Sequence, residues 1–287
     1  MNAPVGNDHP SHEADWQPVR VEGEGRAGPF VVTCDHASNT VPRFVAGGDL
    51  GISPSDMERH IAWDVGALGL ARHLARRLDA PLVHSDFSRL VIDPNRGEDD
   101  PTLIMKLYDG TIIPANRHVD AAERARRLEK CYRPYHKRLA AVLDAREVAG
   151  RRPILVSVHS FTPRLNGHAM RPWQVGILHH DPNPFAEALI ASLRKERDLC
   201  VGDNEPYPGY LVGDSMYRHA MRPGRPYALI ELRNDLIRNE AGQAAWAARI
   251  APHILDAARR AGLIDRADDR RGRNGGSATT QAEEKIA

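Results

Sequence analysis

Three short runs of apolar residues have the pattern of buried β-strands, and each delivers a polar side chain near its C-terminal end. Strands that are buried on both faces are continuous apolar runs rather than alternating ones. The runs cover residues 30–34, 153–158 and 227–232, and the polar side chains are His36, His159 and Glu231. Because ligands of open α/β sheets bind beyond the carboxyl ends of the strands, we expect these side chains to share a site.

Strand-like and helix-like patterns alternate along the rest of the chain. Further strands are predicted over residues 81–85, 90–93 and 174–178. Helices are predicted over residues 55–78, 120–148, 184–196, 215–221 and 241–261. Alternation of this kind predicts an α/β fold, a three-layer sandwich around a mostly parallel or mixed central sheet.

The two ends of the chain differ in composition from its centre. Residues 1–25 are predicted to be a flexible N-terminal tail, and residues 265–287, which are charged and rich in glycine, a disordered C-terminal tail. No linker-like stretch interrupts the chain between them. We therefore predict a single catalytic α/β domain over residues 26–264.

Composition narrows the classes of partner. The 287 residues include 39 basic and 38 acidic side chains, with no basic stripe interleaved with aromatics, so we expect no nucleic-acid partner. No apolar run is long enough to span a membrane, and the polar N-terminus is unlike a signal peptide. Three scattered cysteines, Cys34, Cys131 and Cys200, indicate a reducing compartment, and we predict a cytoplasmic protein. The sequence does not indicate an oligomeric state.

Two strand-end histidines on separate strands suit a metal site. Imidazole nitrogens are common zinc ligands, and a catalytic zinc usually takes three protein ligands and a water. His36 and His159 are the first two candidates, and the third remains open among Asn39, His60 and Asp64. The last two are spaced for one helix face, where a surface pair or a helix cap is the common role.

Glu231 ends an apolar run, and a carboxylate is costly to bury there unless it is paired or close to a metal. An ion pair with Arg233 is unfavourable, because residues i and i+2 of a strand lie about 7 Å apart. A more specific interpretation is that Glu231 acts as a general base beside an activated water.

Arg89 and Arg96 flank the apolar run at residues 90–92, which leads into a Pro-Asn-Arg turn. Guanidinium groups bind carboxylates through two hydrogen bonds, so Arg89 and Arg96 indicate a substrate with at least one carboxylate. The alternative is an Asx-turn at Asn95 followed by a solvent-facing arginine.

Five motifs, taken in order over about residues 29 to 260, together resemble the N-formylglutamate amidohydrolase family. They are Thr-Cys-Asp-His-Ala-Ser-Asn at residues 33–39, His-Ile-Ala-Trp-Asp-Val-Gly-Ala at 60–67, Ser-Arg-Leu-Val-Ile-Asp-Pro-Asn-Arg at 88–96, Val-His-Ser-Phe at 158–161 and Ile-Glu-Leu-Arg-Asn-Asp at 230–235. The resemblance implies a phosphorylase/hydrolase-like α/β fold, shared with zinc carboxypeptidases and the aspartoacylase group.

The resemblance also implies roles for individual residues. His36 and His159 would bind one zinc ion per chain, and Glu231 would be the catalytic glutamate. Asn95 and Arg96 would bind a substrate carboxylate, and Arg89 would stabilise the oxyanion. These relatives have a glutamate ligand three residues after the first histidine, where this chain has Asn39. We therefore expect Asp64 as the third ligand, because a charged carboxylate suits zinc better than an amide.

The activity implied is zinc-dependent hydrolysis of N-formyl-L-glutamate, or of a similar N-acyl amino acid, to formate and glutamate. The expected partner is therefore a small-molecule carboxylate substrate. Arg164 and Arg233 are further candidates for binding a second carboxylate. Two alternatives stay open: a zinc peptidase or amidase acting on short peptides, and a non-catalytic carboxylate-binding protein on a hydrolase scaffold.

Overall fold

A computed structural model describes residues 16–148 and 152–265 of the chain. The strands are β1 (Val19–Glu22), β2 (Phe30–Cys34), β3 (Leu82–Ser85), β4 (Leu107–Tyr108), β5 (Thr111–Ile112), β6 (Ile154–Phe161), β7 (Val175–Leu178), β8 (Val201–Asp203) and β9 (Tyr227–Arg233). The α-helices are α1 (Pro54–Met57), α2 (Ala67–Arg77), α3 (Ala121–Arg127), α4 (Arg133–Val148), α5 (Pro184–Leu193) and α6 (Glu240–Arg260). Two π-helical turns occupy Leu128–Tyr132 and Tyr217–Met221, and short 3-10 turns occupy Ala46–Gly48, Pro114–Asn116 and Asn234–Leu236.

In the described part of the chain, seven strands form one sheet in the order β1-β3-β2-β6-β9-β7-β8. The central strands β3, β2, β6 and β9 are parallel, whereas β1 and β7 run antiparallel to their neighbours β3 and β9. The mixed sheet confirms the predicted α/β class. Because β2, β6 and β9 are adjacent and parallel, their carboxyl ends meet at one edge of the sheet.

Helices cover both faces of the sheet. Side chains of a strand alternate between faces, so Val156 of β6 faces the core formed by α2, α5 and α6. Its neighbour Leu155 faces the opposite core, where Tyr135 and Leu139 of α4 pack. Burying a leucine of this kind contributes roughly 1.5–3 kcal/mol, which explains why the central strands are apolar throughout. The layers confirm the predicted three-layer sandwich.

The prediction of one helix over residues 55–78 is wrong. Between α1 and α2 lies a loop that carries His60 and Asp64. The Asp64 amide donates to the His36 carbonyl at 2.9 Å, which draws this loop to the end of β2. Gly66 then takes a left-handed φ of 80° before α2 begins. The apolar periodicity of α2 does not reveal this break.

The strand predicted over residues 90–93 is also wrong. Leu90, Val91 and Ile92 are buried in the core beneath α4, but they pair with no strand among the described residues. A short apolar run reports burial and does not by itself specify pairing. The helix predicted over residues 120–148 is divided into α3 and α4 by the first π-helical turn, and the helix predicted over 215–221 is the second.

Four strands, β1, β4, β5 and β8, were not predicted. β1 lies within the expected N-terminal tail and pairs with β3, so the ordered chain starts before residue 26 and that boundary is wrong. β8 lies at the opposite edge of the sheet, and β4 pairs with β5 in a separate hairpin. Residues 1–15 and 266–287, the rest of the two predicted tails, lie outside the described residues.

We expect Gly66→Ala to lower the free energy of unfolding by about 3 kcal/mol or more, because two costs add. A left-handed φ is unfavourable for alanine, and its Cβ would lie 2.1 Å from the Ile237 carbonyl oxygen. Gly262→Ala is the matched control, since Gly262 has a similar φ of 69° but open space around the Cβ position. Urea unfolding measures both variants, and equal losses would contradict the argument from close contact.

Candidate metal centre and substrate cavity

The functional side chains meet at the carboxyl edge of the central strands. His36 follows β2, and His159 lies near the end of β6. Within the ladder that joins β6 and β9, His159 and Glu231 are register partners, which places the two side chains next to each other on the same face. That face is the one covered by α4, because Leu155 and Leu229 point the same way.

Three of the predicted ligands form a compact cluster. The ligand atoms of His36, Asp64 and His159 all lie within 4.8 Å of one another, and the three residues are buried. The Nδ1 atoms of His36 and His159 lie 3.3 Å and 2.9 Å from Asp64 Oδ2. Two imidazole nitrogens and one carboxylate oxygen are a donor set that zinc takes in catalytic sites with an open position. The residues therefore fit a zinc ion.

The alternative third ligands lie elsewhere. Asn39 donates through Nδ2 to the Met57 carbonyl at 3.0 Å and to Glu58 at 3.2 Å, so its amide is committed to the following loop. His60 Nε2 lies 3.5 Å from Asp109 Oδ2, although its ring borders the same cavity as the cluster. The geometry therefore favours Asp64 as the third ligand over Asn39 and His60.

Each histidine of the cluster has a second carboxylate behind it. His36 Nε2 lies 2.7 Å from Asp93 Oδ1, and His159 Nε2 lies 3.3 Å from Asp35 Oδ2. Asp35 also accepts hydrogen bonds from Thr33 and Tyr135. A proton held on Nε2 leaves the Nδ1 lone pair free, and such carboxylate partners orient ligand histidines in metal sites. Asp35 and Asp93 stand inside the quoted motifs, but the sequence analysis gave them no role.

The electrostatics of the cluster are dominated by buried carboxylates. Burial alone would raise the pKa of Asp64, but the imidazoles of His36 and His159 outweigh this and hold the pKa well below its usual value. Burial would lower the pKa of His159, but the carboxylates of Asp35 and Asp64, which lie 3.3 Å and 2.9 Å from its ring nitrogens, outweigh burial and raise it. The pocket is therefore built to stabilise positive charge between these groups.

Glu231 stands apart from these paired carboxylates. It is buried, its Oε2 atom has no hydrogen-bond partner, and burial raises its pKa to about 7. Across the sheet its register partner on β7 is Gly176. A Cβ atom at Gly176 would lie 1.9 Å from the Glu205 carbonyl oxygen, so glycine lets the chain after β8 cross close to Glu231. An unpartnered carboxyl group that titrates near neutral pH suits proton transfer.

The two arginines predicted to act on the substrate differ in their partners. Arg89 is buried and donates to Asp93 Oδ2 at 2.9 Å and to Asp64 Oδ1 at 3.4 Å. Arg96 donates to the Thr102 hydroxyl and to its neighbour's carbonyl, and no carboxylate of the described residues lies within ion-pair distance of it. Both border the cavity, as does Asn95. Arg96 is thus the arginine with charge available for a ligand.

The cavity has a volume of about 450 Å³ and opens beside the cluster. Tyr108 of the β4–β5 hairpin and Tyr207 of the segment after β8 form part of its wall, and Asp214 lies in it as a buried carboxyl. None of these three was a candidate from the sequence. Each sits in a loop or hairpin far along the chain from the strand-end motifs, where no local pattern marks it.

Comparison with known proteins places the chain in a family. The model of the family described as N-formylglutamate amidohydrolase matches residues 28–238. The chain belongs to the N-formylglutamate amidohydrolase family. This match confirms the family that the five motifs predicted. Membership assigns the chain to the hydrolases of the amidohydrolase type.

Two solved structures are similar to this chain. A gene product of Agrobacterium tumefaciens is 37% identical, with a TM-score of 0.82 over 87% of this chain and 98% of that chain. An N-formylglutamate amidohydrolase of Ralstonia eutropha is 23% identical, with a TM-score of 0.61 over 86% of this chain and 98% of that chain, and this likeness shows the fold alone. No curated protein matches the chain. Among the described residues, no helix is both long enough and apolar enough to cross a membrane.

Two candidates for the family's substrate site lie away from the cavity. Arg164 borders a neighbouring depression together with Arg59 and Asp109. Arg233 is paired with Asp235 at 2.8 Å and directs a second nitrogen toward the Arg171 carbonyl. Neither side chain borders the cavity beside the cluster, so the structure gives neither a place against a substrate there.

We expect Asp93→Asn to weaken zinc binding about 10- to 100-fold, because the neutral amide holds the His36 imidazole less firmly. Competition with a chelating indicator dye measures the affinity. Asp86→Asn is the matched control, since Asp86 pairs with half-exposed Arg20 at the edge of the sheet. An unchanged affinity in a folded Asp93→Asn protein would show that this carboxylate does not support the ligand.

We expect Asp214→Asn to stabilise the protein at pH 8 but not at pH 3.8. Burial raises the Asp214 pKa from 3.8 to about 6, so as pH rises through this window the unfolded state ionises first and stability falls. The loss is at most about 3 kcal/mol at neutral pH, and asparagine removes it while keeping an acceptor for the Tyr217 amide. Urea unfolding at both pH values measures the gain, with exposed Asp181→Asn as the control. A gain that is equal at both pH values would contradict this origin.

Proposed function

We propose that the chain is a zinc-dependent amidohydrolase that removes the acyl group from an N-acyl amino acid. N-formyl-L-glutamate, after which the family is named, is the reference substrate. The observation that carries the proposal is the register of β6 and β9. It places the unpartnered carboxyl group of Glu231 beside His159, a member of the cluster that fits zinc.

His36, Asp64 and His159 would hold one zinc ion per chain. When bound, zinc supplies a Lewis acid that lowers the pKa of a water molecule from about 15.7 towards 7 and polarises a carbonyl oxygen. Behind the ligands, Asp93 and Asp35 keep the two imidazoles in the orientation and tautomer that present Nδ1.

Glu231 moves the proton in this mechanism. Its carboxylate accepts a proton from the attacking water as the carbon–oxygen bond forms at the acyl carbon. It then gives that proton to the nitrogen as the carbon–nitrogen bond breaks, which yields a carboxylate and a free amine. A buried carboxyl group with no hydrogen-bond partner of its own is free to take up the proton and to return it.

The arginines bind and orient the substrate. Arg89, fixed by Asp64 and Asp93, would donate to the acyl oxygen as negative charge develops on it. Arg96 and Asn95 would hold the α-carboxylate of the amino acid, because Arg96 has no carboxylate partner of its own in the described structure. This partition supports a small-molecule carboxylate as the partner of the site.

We expect Glu231→Gln to keep about one zinc per chain and to lower kcat about 10²- to 10⁴-fold, since the amide cannot accept the proton. Metal analysis of the purified protein and an assay of formate release from N-formyl amino acids, with and without a chelator, measure both quantities. Glu205→Gln is the matched control, because this carboxylate is exposed on the segment after β8.

The outcomes separate the possibilities. Bound zinc with chelator-sensitive release, lost in Glu231→Gln but not in Glu205→Gln, supports the proposal. Near-normal turnover by Glu231→Gln would remove this residue as the base. A protein that takes up no metal would overturn the zinc-dependent mechanism.

A further inference from the structure

The supply of positive charge in the cavity limits how many carboxylates a substrate can present. N-formyl-L-glutamate carries two, and each needs a cationic or hydrogen-bonding partner once it leaves water. Among the described residues that border the cavity, the arginines are Arg89 and Arg96, and none is a lysine. Arg89 is already shared between Asp64 and Asp93, so Arg96 is left to neutralise one carboxylate.

Two further acidic side chains border the same space. Asp100 lies near Arg96 in the chain and accepts from the amide and hydroxyl of Thr102. Asp214, which is buried, accepts from the Tyr217 amide. A second substrate carboxylate would be desolvated in their presence without a cation of its own. Such an arrangement selects against a dicarboxylate substrate.

The wall next to Glu231 is apolar. Leu229 precedes Glu231 by two residues on β9 and so lies on the same face, about 7 Å along the strand. Its register partner on β7 is Leu178, and both leucines border the cavity. Met216 packs in the same hydrophobic core as both leucines, and Met216 and Leu211, from the segment after β8, also border the cavity. These four side chains are called the apolar wall. The space beside the proton-transferring carboxyl group is therefore shaped for a hydrocarbon side chain.

Three segments that supply residues to the cavity also carry apolar side chains that are open to solvent, although none of these side chains borders the cavity itself. The large hydrophobic residues that are exposed in the described structure are Leu107, Ile112, Met170, Tyr210 and Val212, at 45–61% of their surface. They lie on three segments: the β4–β5 hairpin, the connection from β6 to β7, and the segment after β8. Each of these segments also supplies residues that border the cavity. Exposed apolar side chains of the described residues are therefore concentrated on the segments that supply the cavity, which favours an apolar ligand.

We propose that the amino acid released at this site has an apolar side chain. The enzyme then acts on N-acyl derivatives of amino acids such as leucine in preference to N-formyl-L-glutamate. The inference rests on the proposed amidohydrolase function and names its substrate class. Arg96 binds the single α-carboxylate, and the apolar wall formed by Leu178, Leu211, Met216 and Leu229 receives the side chain.

The first test compares kcat/KM of the zinc-loaded enzyme for three N-formyl amino acids. N-formyl-L-leucine tests the apolar side chain, N-formyl-L-glutamate the charged one, and N-formyl-L-glutamine has the shape of glutamate without its charge. We expect kcat/KM for N-formyl-L-leucine to exceed that for N-formyl-L-glutamate by about 100-fold or more, with the value for N-formyl-L-glutamine between them. A glutamate value equal to or above that of leucine would overturn the inference and leave the amidohydrolase function standing.

A pair of arginine variants tests whether the wall sets this preference. Leu211 is half-buried and borders the cavity, whereas its neighbour Val212 is exposed and does not. We expect Leu211→Arg to shift the leucine-to-glutamate ratio of kcat/KM toward glutamate by about tenfold or more, since it supplies a second cation. Val212→Arg adds the same charge outside the wall and should leave the ratio within about threefold. Equal shifts in both variants would contradict the wall's role.

Binding measured without turnover distinguishes the substrate preference from the proposed reaction. Calorimetry with the Glu231→Gln protein measures the affinity for N-formyl-L-leucine and N-formyl-L-glutamate. Tighter binding of N-formyl-L-leucine supports the inference, even if the wild-type enzyme releases no formate. The absence of formate release would reject the proposed reaction and not the substrate preference. Tighter binding of glutamate overturns the inference, and no binding of either compound overturns both.

Discussion

Asp64 is buried between the imidazoles of His36 and His159, and its ionised carboxylate is stable there because hydrogen bonds surround it. The Ser160 amide and the Arg89 guanidinium also approach it, at 3.2 Å and 3.4 Å. A buried charge without such partners would cost several kcal/mol. This requirement fixes the loop before α2 against the ends of β2 and β6, and with it the geometry of the centre.

The parallel arrangement of β2, β6 and β9 converts that local requirement into a site. A register shift of one residue in β9 would turn Glu231 to the opposite face and bury it among the helices of the other layer. The apolar alternation of Leu229, Ile230 and Leu232 prevents this shift, because each side chain fills a defined core. The packing that stabilises the sheet therefore also fixes the position of Glu231.

Charged and apolar side chains border the cavity together. Arg89, Asp64 and the two histidines of the cluster border it, at the place where charge would develop in the proposed amide hydrolysis. Leu178 of β7 and Leu229 of β9 border the same cavity. Leu211 and Met216 come from the segment after β8, and connecting segments of this kind commonly carry the specificity of an enzyme whose fold many others share.

The sequence by itself determined the α/β class, the central strands and the residues that converge on the centre, because continuous apolar runs and strand-end polar residues are local signals. It also favoured Asp64 through the charge that zinc requires of a ligand. Only the tertiary structure decided that Asn39 turns to Met57, that Arg164 and Arg233 lie away from the cavity, and that residues 90–93 form no strand. Those outcomes depend on partners distant in sequence, which local patterns do not encode.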